Sequence, residues 1–512
     1  MGPTRHAGER RSGLLLHPTS LPGPFGIGDL GPRAHAFADF LGEAGQRVWQ
    51  VLPLGPTGYG DSPYQSLGAW AGNPLLISPE LLAEDGLLTA VELVEARTGG
   101  DGPVDFGAVI PRREALLRHV AERFTGRAGP GLRRDLEAFR QERAGWLPDL
   151  ALFLALKTAH QGAPWTAWEP ELAGRGVKAL ARAARRLGAE VEAHVVAQFL
   201  FDRQWRALRA HGQARGVQFM GDLPIYVAHD SAEVWARRDL FQLDRHGAPT
   251  AVAGVPPDYF SATGQRWGNP LYRWEARFDG CAGFFAERAR AALAWVDQVR
   301  LDHFRGFEAY WAVPAGAPTA EGGAWRPGPG PPIFDRLRIE LGHLPFVAEN
   351  LGVITPAVEA LRRAFGLPGM AILQFAFGTD PQAPGFRPHR YQRDLVAYTG
   401  THDNDTVAGW WASGGGDSTR TPADVAEEKA LALRYLDTDG RDMPWAMLRA
   451  LQASVADTAI APVQDLLGLG SEARMNRPGT AAGNWRWRLR EGQLTAALAA
   501  RLGGLSGLFD RA

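Results

Sequence analysis

Eight short apolar runs recur along the chain, each closed by a turn signal or a charged residue. They are GLLLHP (13–18), VWQVLPL (48–54), VQFMGDLPI (217–225), VRLDHF (299–304), LPFVAEN (344–350), MAILQFAF (370–377), LVAYTG (395–400) and IAPVQDLLG (460–468). Runs of this length bounded by turn residues read as buried strands. Between them, helical patterns cover 32–45, 176–211, 283–297, 332–342 and 356–365. Buried strands alternating with helices predict a parallel sheet of crossover units, and eight of them fit a closed (β/α)8 barrel in the α/β class. An open doubly wound sheet is the alternative, but the first strand–helix junction lacks a glycine-rich phosphate loop.

The spacing is uneven. About 160 residues separate the second run from the third, and about 75 separate the third from the fourth. Both gaps exceed an ordinary crossover. A single barrel over 1–512 is therefore expected to carry a mainly helical insertion at about 65–215. A second insertion is expected at about 226–297, with a Pro-, Gly- and aromatic-rich loop at 251–270. The stretch 315–332, with GPGPP inside it, reads as a loop.

Four of the runs end in a carboxylate at the same relative position: Asp222, Asp302, Glu349 and Asp403. Residues i and i+2 of a strand share a side, so Arg300 and Asp302 project together. A close guanidinium lowers a carboxylate pKa by about 1–3 units, which suits a nucleophile. Taken alone, the pair is equally a structural ion pair. Glu349 follows Phe346, Val347 and Ala348, and a less polar setting would raise its pKa and suit a general acid. His402, Asp403 and Asp405 form a possible metal-ligand cluster. No comparable cluster stands near another strand end, so no metal is expected. Four carboxylates on one barrel rim point to function, because barrel enzymes draw their catalytic residues from several strand ends. The chain has no Walker loop, no G-x-S-x-G and no H-E-x-x-H, and rim carboxylates then suggest glycosidic chemistry.

Composition narrows the setting. A formal net charge of -1 argues against a nucleic-acid partner. No apolar run approaches the ~18 residues of a membrane span, and the three leucines near the N-terminus are too few for a signal-peptide core. One cysteine, Cys281, suits a reducing cytoplasm. Of the 17 tryptophans, most are expected in the core and some as flat platforms for sugar rings.

Longer stretches carry a resemblance. LLLHPTSLPGPFGIGDLG (14–31), GPTGYGDSPYQS (55–66), GNPLLI (72–77), VPPDYFSATGQRWGNP (255–270), VRLDHFRGF (299–307), VAENLG (347–352), TGTHDNDT (399–406) and SEARMNRPGTAAGNWRWR (471–488) run through essentially the whole chain. In these the chain resembles the 4-α-glucanotransferases, the amylomaltases or disproportionating enzymes of the α-amylase superfamily. The resemblance implies retaining transfer of α-1,4-glucan segments to the 4-hydroxyl of another glucan, or within one chain to give cyclic glucans, without a cofactor. It implies Asp302 as the nucleophile that forms a covalent glucosyl-enzyme, Glu349 as acid/base and Asp403 as the transition-state carboxylate. Arg300, His402 and Asp222 match residues lining the same glucose subsite, and Tyr64 an aromatic that stacks on that glucose. Tyr59 matches a tyrosine of a remote glucan site. Asp258, Tyr259 and Phe260 match a loop arching over the acceptor side, with Trp267 and Asn269 also expected to touch substrate. A monomer or weak homodimer is expected. Where the family usually has Asp, this chain has Asn350, and the lost charge is expected to lower the Glu349 pKa slightly. A hydrolase using the same carboxylates, a non-catalytic glucan-binding protein and a metal-dependent hydrolase stay open as alternatives.

Overall fold

The computed structural model describes residues 9–100, 102–257, 261, 263–414, 421–480 and 482–512. Its strands are β1 (Arg11–Leu15), β2 (Val48–Gln50), β3 (Gln218–Leu223), β4 (Ala251–Val255), β5 (Gln265–Pro270) and β6 (Gln298–Leu301). They continue with β7 (Ala309–Pro314), β8 (Ala324–Pro327), β9 (Phe346–Ala348), β10 (Gly369–Ile372), β11 (Leu395–Tyr398) and β12 (Thr458–Pro462). Eight of them form one all-parallel sheet in the order β10-β11-β12-β1-β2-β3-β6-β9, which curls into a (β/α)8 barrel.

Leu15, Val48, Met220, Val347, Met370, Val396, Tyr398 and Ile460, from seven of the eight barrel strands, belong to one buried cluster. A polar layer accompanies it. The Arg11 guanidinium donates to Gln218 Oε1 and Gln298 Oε1, both at 2.6 Å, and the Tyr398 hydroxyl donates to Gln50 Oε1 at 2.8 Å. Each buried polar end thus meets a partner supplied by another strand. The guanidinium of Arg511 is fully buried and donates to the carbonyls of Arg11, Gln452, Ser454, Ala456 and Asp457, clamping the segments that lead into β1 and β12.

Helices start where the chain offers proline at the first turn, whose missing N–H costs nothing there. Pro32, Pro130, Pro331, Pro356 and Pro422 all open helices in this way. Three departures from the pattern-based reading stand out. The expected helix 176–211 breaks at Leu187 into Val177–Arg186 and Gly188–Gln213. The connection from β10 to β11 holds only 3-10 turns, with no α-helix. The stretches expected as loops at 251–270 and 315–332 contribute β4, β5 and β8, which join β7 in a second, antiparallel sheet of order β5-β4-β7-β8. The rim strands are also shorter than their apolar runs, because the chain leaves the ladder as soon as it reaches the residues of the site.

Candidate active site

The register of β3 with β6 sets Asp222 opposite Arg300. Arg300 spans two carboxylates: its Nη1 donates to Asp222 Oδ2 at 2.7 Å and its Nη2 reaches Asp302 Oδ1 at 3.0 Å. The Tyr64 hydroxyl donates to the same Asp222 oxygen at 2.7 Å. The Asp222 side chain has 0% exposure, whereas Asp302 keeps 27%. Asp222 therefore sits behind Tyr64 and Arg300 as their anchor, and Asp302 faces the opening.

Glu349 follows β9 directly, and its carboxyl is cradled by two backbone amides. Oε2 accepts from the His303 N–H at 2.8 Å and Oε1 from the Leu351 N–H at 3.1 Å. The first of these depends on His303 adopting a left-handed backbone (φ 51°), an uncommon state for a non-glycine residue, which turns its amide toward Glu349. Nothing in the side-chain chemistry of VRLDHF announced that role, since the amide, not the imidazole, does the holding. On the far side, Asp403 Oδ1 accepts from Asn476 Nδ2 at 2.6 Å, and its Oδ2 lies 3.3 Å from His402 Nε2. Arg474 Nη2 donates to the Asp403 carbonyl at 2.7 Å. Asn476 and Arg474 lie in the SEARMNRP stretch but were not singled out from the sequence.

These surroundings pull the three carboxyls apart. Burial pushes Glu349 up to about 8, opposed by Arg300 and the two amides. Burial also raises Asp302, to about 6. This reverses the downward shift expected from the Arg300 pair alone. The guanidinium is shared with Asp222, and the Asp222 and Asp403 charges add to the upward push. Burial acts upward on Asp403 too, but the adjacent His402 ring and the Asn476 amide outweigh it and bring it to about 2. A site with one carboxyl favoured protonated and others ionised near neutrality is equipped for paired acid and base work.

The remaining candidates divide. Tyr64 is stacked on His402 (centroids 5.2 Å apart, 18° between planes), with Trp485 5.8 Å from each. Trp267 stands edge-on to His303 at 4.8 Å. Asn269 is buried and its amide donates to the Val227 carbonyl and accepts from Gln65 Nε2, tying β5 to the loop that holds Tyr64. Tyr59 is away from these, 79% exposed beside a left-handed Gly60–Asp61 turn. Asp258, Tyr259 and Phe260 lie outside the described residues. Asn350 turns away from Glu349, toward β10 and Glu359. Among the described residues no group of three or more His, Cys, Asp or Glu side chains is placed to hold a metal ion.

Comparison with known proteins gives the family of the chain. Residues 16–495 match the family described as 4-alpha-glucanotransferase. The chain belongs to the 4-alpha-glucanotransferase family. It is 51% identical over 510 residues to the 4-alpha-glucanotransferase of Thermus thermophilus, covering 98% of this chain and 99% of the other. The Synechocystis 4-alpha-glucanotransferase is 47% identical over 507 residues, 98% of each chain. Among solved structures, an amylomaltase from Streptococcus agalactiae in complex with acarbose superposes with a TM-score of 0.92 at 38% identity, covering 98% of this chain and all of that one. The chain is thus a 4-alpha-glucanotransferase, an enzyme that transfers glucan segments.

Proposed function

We propose that Asp302 is the nucleophile and Glu349 the acid/base of a double displacement on α-1,4-linked glucans. Asp302 attacks the anomeric carbon while Glu349 gives its proton to the departing 4-oxygen; the C1–O4 bond breaks and a covalent glucosyl-enzyme forms. The 4-hydroxyl of an acceptor then attacks C1, returns its proton to Glu349, and releases Asp302. Two inversions leave the new linkage α. When donor and acceptor ends belong to one chain, the product is a cyclic glucan. Asp403, drawn toward the ionised form, holds sugar hydroxyls and offsets the positive charge that develops on the ring. Tyr64, buttressed by His402 and Trp485, offers its ring to the glucose in the reacting subsite, and Arg300 keeps Asp302 oriented.

The observation that carries this reading is the contrast between two neighbouring rim carboxyls. Asp302 is clamped by a guanidinium and faces the opening, and Glu349 is held by amides and favoured protonated. The test is incubation with maltotriose, following chain lengths and total reducing ends together. Transfer gives glucose and a ladder of longer maltodextrins at a nearly constant reducing-end count. A steady rise in that count without a ladder would replace transfer by hydrolysis.

A further inference from the structure

Ladders join β10 to β11 and so on round to β9, but among the described residues none joins β9 to β10. Single contacts cross that seam instead. The Ala348 amide donates to the Pro368 carbonyl at 2.8 Å. The side chain of Asn350, the residue after Glu349, spans the rest of the gap. Its Oδ1 accepts from the Met370 N–H at 2.8 Å and its Nδ2 donates to Glu359 Oε1 at 2.6 Å. An N–H on one side and a carboxylate on the other fix the orientation of the amide, since neither partner could bond to it flipped. Glu359 is held in turn by Arg362, with Arg363 also 3.7 Å from it, and Arg362 reaches the Leu367 carbonyl and Asp394. The fit is close, because a Cβ on Gly369 would lie 3.0 Å from the Asn350 amide.

We propose that Asn350 is a positioning residue for Glu349: by stapling the open seam of the barrel it fixes the turn at 349–351, and with it the Leu351 amide that donates back to the Glu349 carboxyl. The inference rests on Glu349 being the acid/base. Asn350 is the sole residue between Glu349 and Leu351, so the path of this turn is set by where its side chain is anchored. The groups facing the Glu349 carboxyl are Arg300 of β6, Asp302 just after it, and the His303 and Leu351 amides. Arg300 and the amides favour the ionised form and Asp302 the protonated form. Losing the Leu351 contact therefore leaves the proton harder to remove, and leaves the carboxyl held from one side only.

The experiment measures maltotriose transfer against pH for N350A, N350D and N350D/E359Q, with E349Q alongside. In N350A, kcat is expected to fall roughly 10- to 100-fold with little change in KM. The basic limb of the pH profile is expected to move up by roughly half to one pH unit, a change that mere destabilisation would not produce. N350D sets a second carboxylate against Glu359. E359Q turns that contact back into a donor–acceptor pair, so the double variant is expected to recover at least about tenfold over N350D. This rescue decides the question even if N350A does not fold. An unmoved basic limb in a folded N350A, or no rescue in N350D/E359Q, would overturn the positioning role. Near-normal transfer by E349Q would instead remove the acid/base assignment itself, so the two failures are told apart.

Discussion

Replacing Asp222 by asparagine tests how the rim charges are coupled. On the proposed assignment, Asp302 works ionised and Glu349 protonated. Activity therefore rises with pH as Asp302 ionises near 6 and falls as Glu349 ionises near 8, each limb belonging to the interacting pair. Asp222 shares Arg300 with Asp302, so the two carboxylates stand on the order of 7 Å apart across one guanidinium; at an effective dielectric of about 20, that separation amounts to about 2 kcal/mol of repulsion. Asp302 is partly exposed, and screening reduces the usable part to roughly one pH unit. D222N removes the repulsion and frees Arg300 for Asp302, so the Asp302 pKa falls and the acidic limb moves to lower pH by about that amount. The amide is isosteric, but the Tyr64 bond becomes neutral and the Arg300 bond keeps only its ionised donor, at about 1 kcal/mol each. At ~2.1 cal/mol/K per residue, a chain of 512 residues has an unfolding entropy near 1 kcal/mol/K, so the melting midpoint drops by about 2 °C. The assay is initial glucose release from maltotriose across the acid-to-neutral range, with a thermal melt of the same preparation. An acidic limb that stays in place, or moves upward, would refute the shared-guanidinium account.

Two further outcomes follow from the geometry. D302N is expected to lower transfer by roughly 10⁴-fold or more while glucan binding, followed by tryptophan fluorescence, and the melting midpoint stay near wild type; a near-normal rate would remove Asp302 from the nucleophile role. R511A strips a buried cation from five backbone carbonyls. The expected cost is roughly 3–5 kcal/mol, a fall in midpoint of about 3–5 °C, with kcat at 25 °C unchanged because the clamp lies at the opposite end of the strands from the site. A melt within 1 °C of wild type would show that the carbonyls find other partners.

The strands of the barrel and the carboxylates at their ends were legible because both rest on local signals: buried runs of a few residues, and a charged residue where each run stops. What escaped the sequence depends on contacts between distant segments or on the backbone itself. His303 serves through an amide turned by a left-handed φ, and no side-chain pattern encodes that. β8 (AWRP) is exposed along its whole length, so it has no apolar alternation to reveal it, and β4 and β5 lie in a stretch whose prolines and glycines read as a loop. The rise of Asp302 comes from its burial, with the Asp222 and Asp403 charges adding to it, whereas the sequence offered only its neighbour two residues away. Asn350 likewise meets Met370 and Glu359, contacts with segments distant in sequence that no local pattern shows.

The pairing of β1 with β12 has a consequence for how the chain is made. Arg11 and Thr458, which bond across that pair, are 447 residues apart. At a synthesis rate of ~5–20 residues per second, β1 is finished roughly 20 to 90 seconds before its partner emerges from the ribosome. Throughout that interval one edge of β1 presents unpaired amides and carbonyls, the kind of edge on which other nascent chains pair. The brevity of β1, and the arginine, serine and glycine in its first three positions, make that edge a poor template for a stranger while it waits.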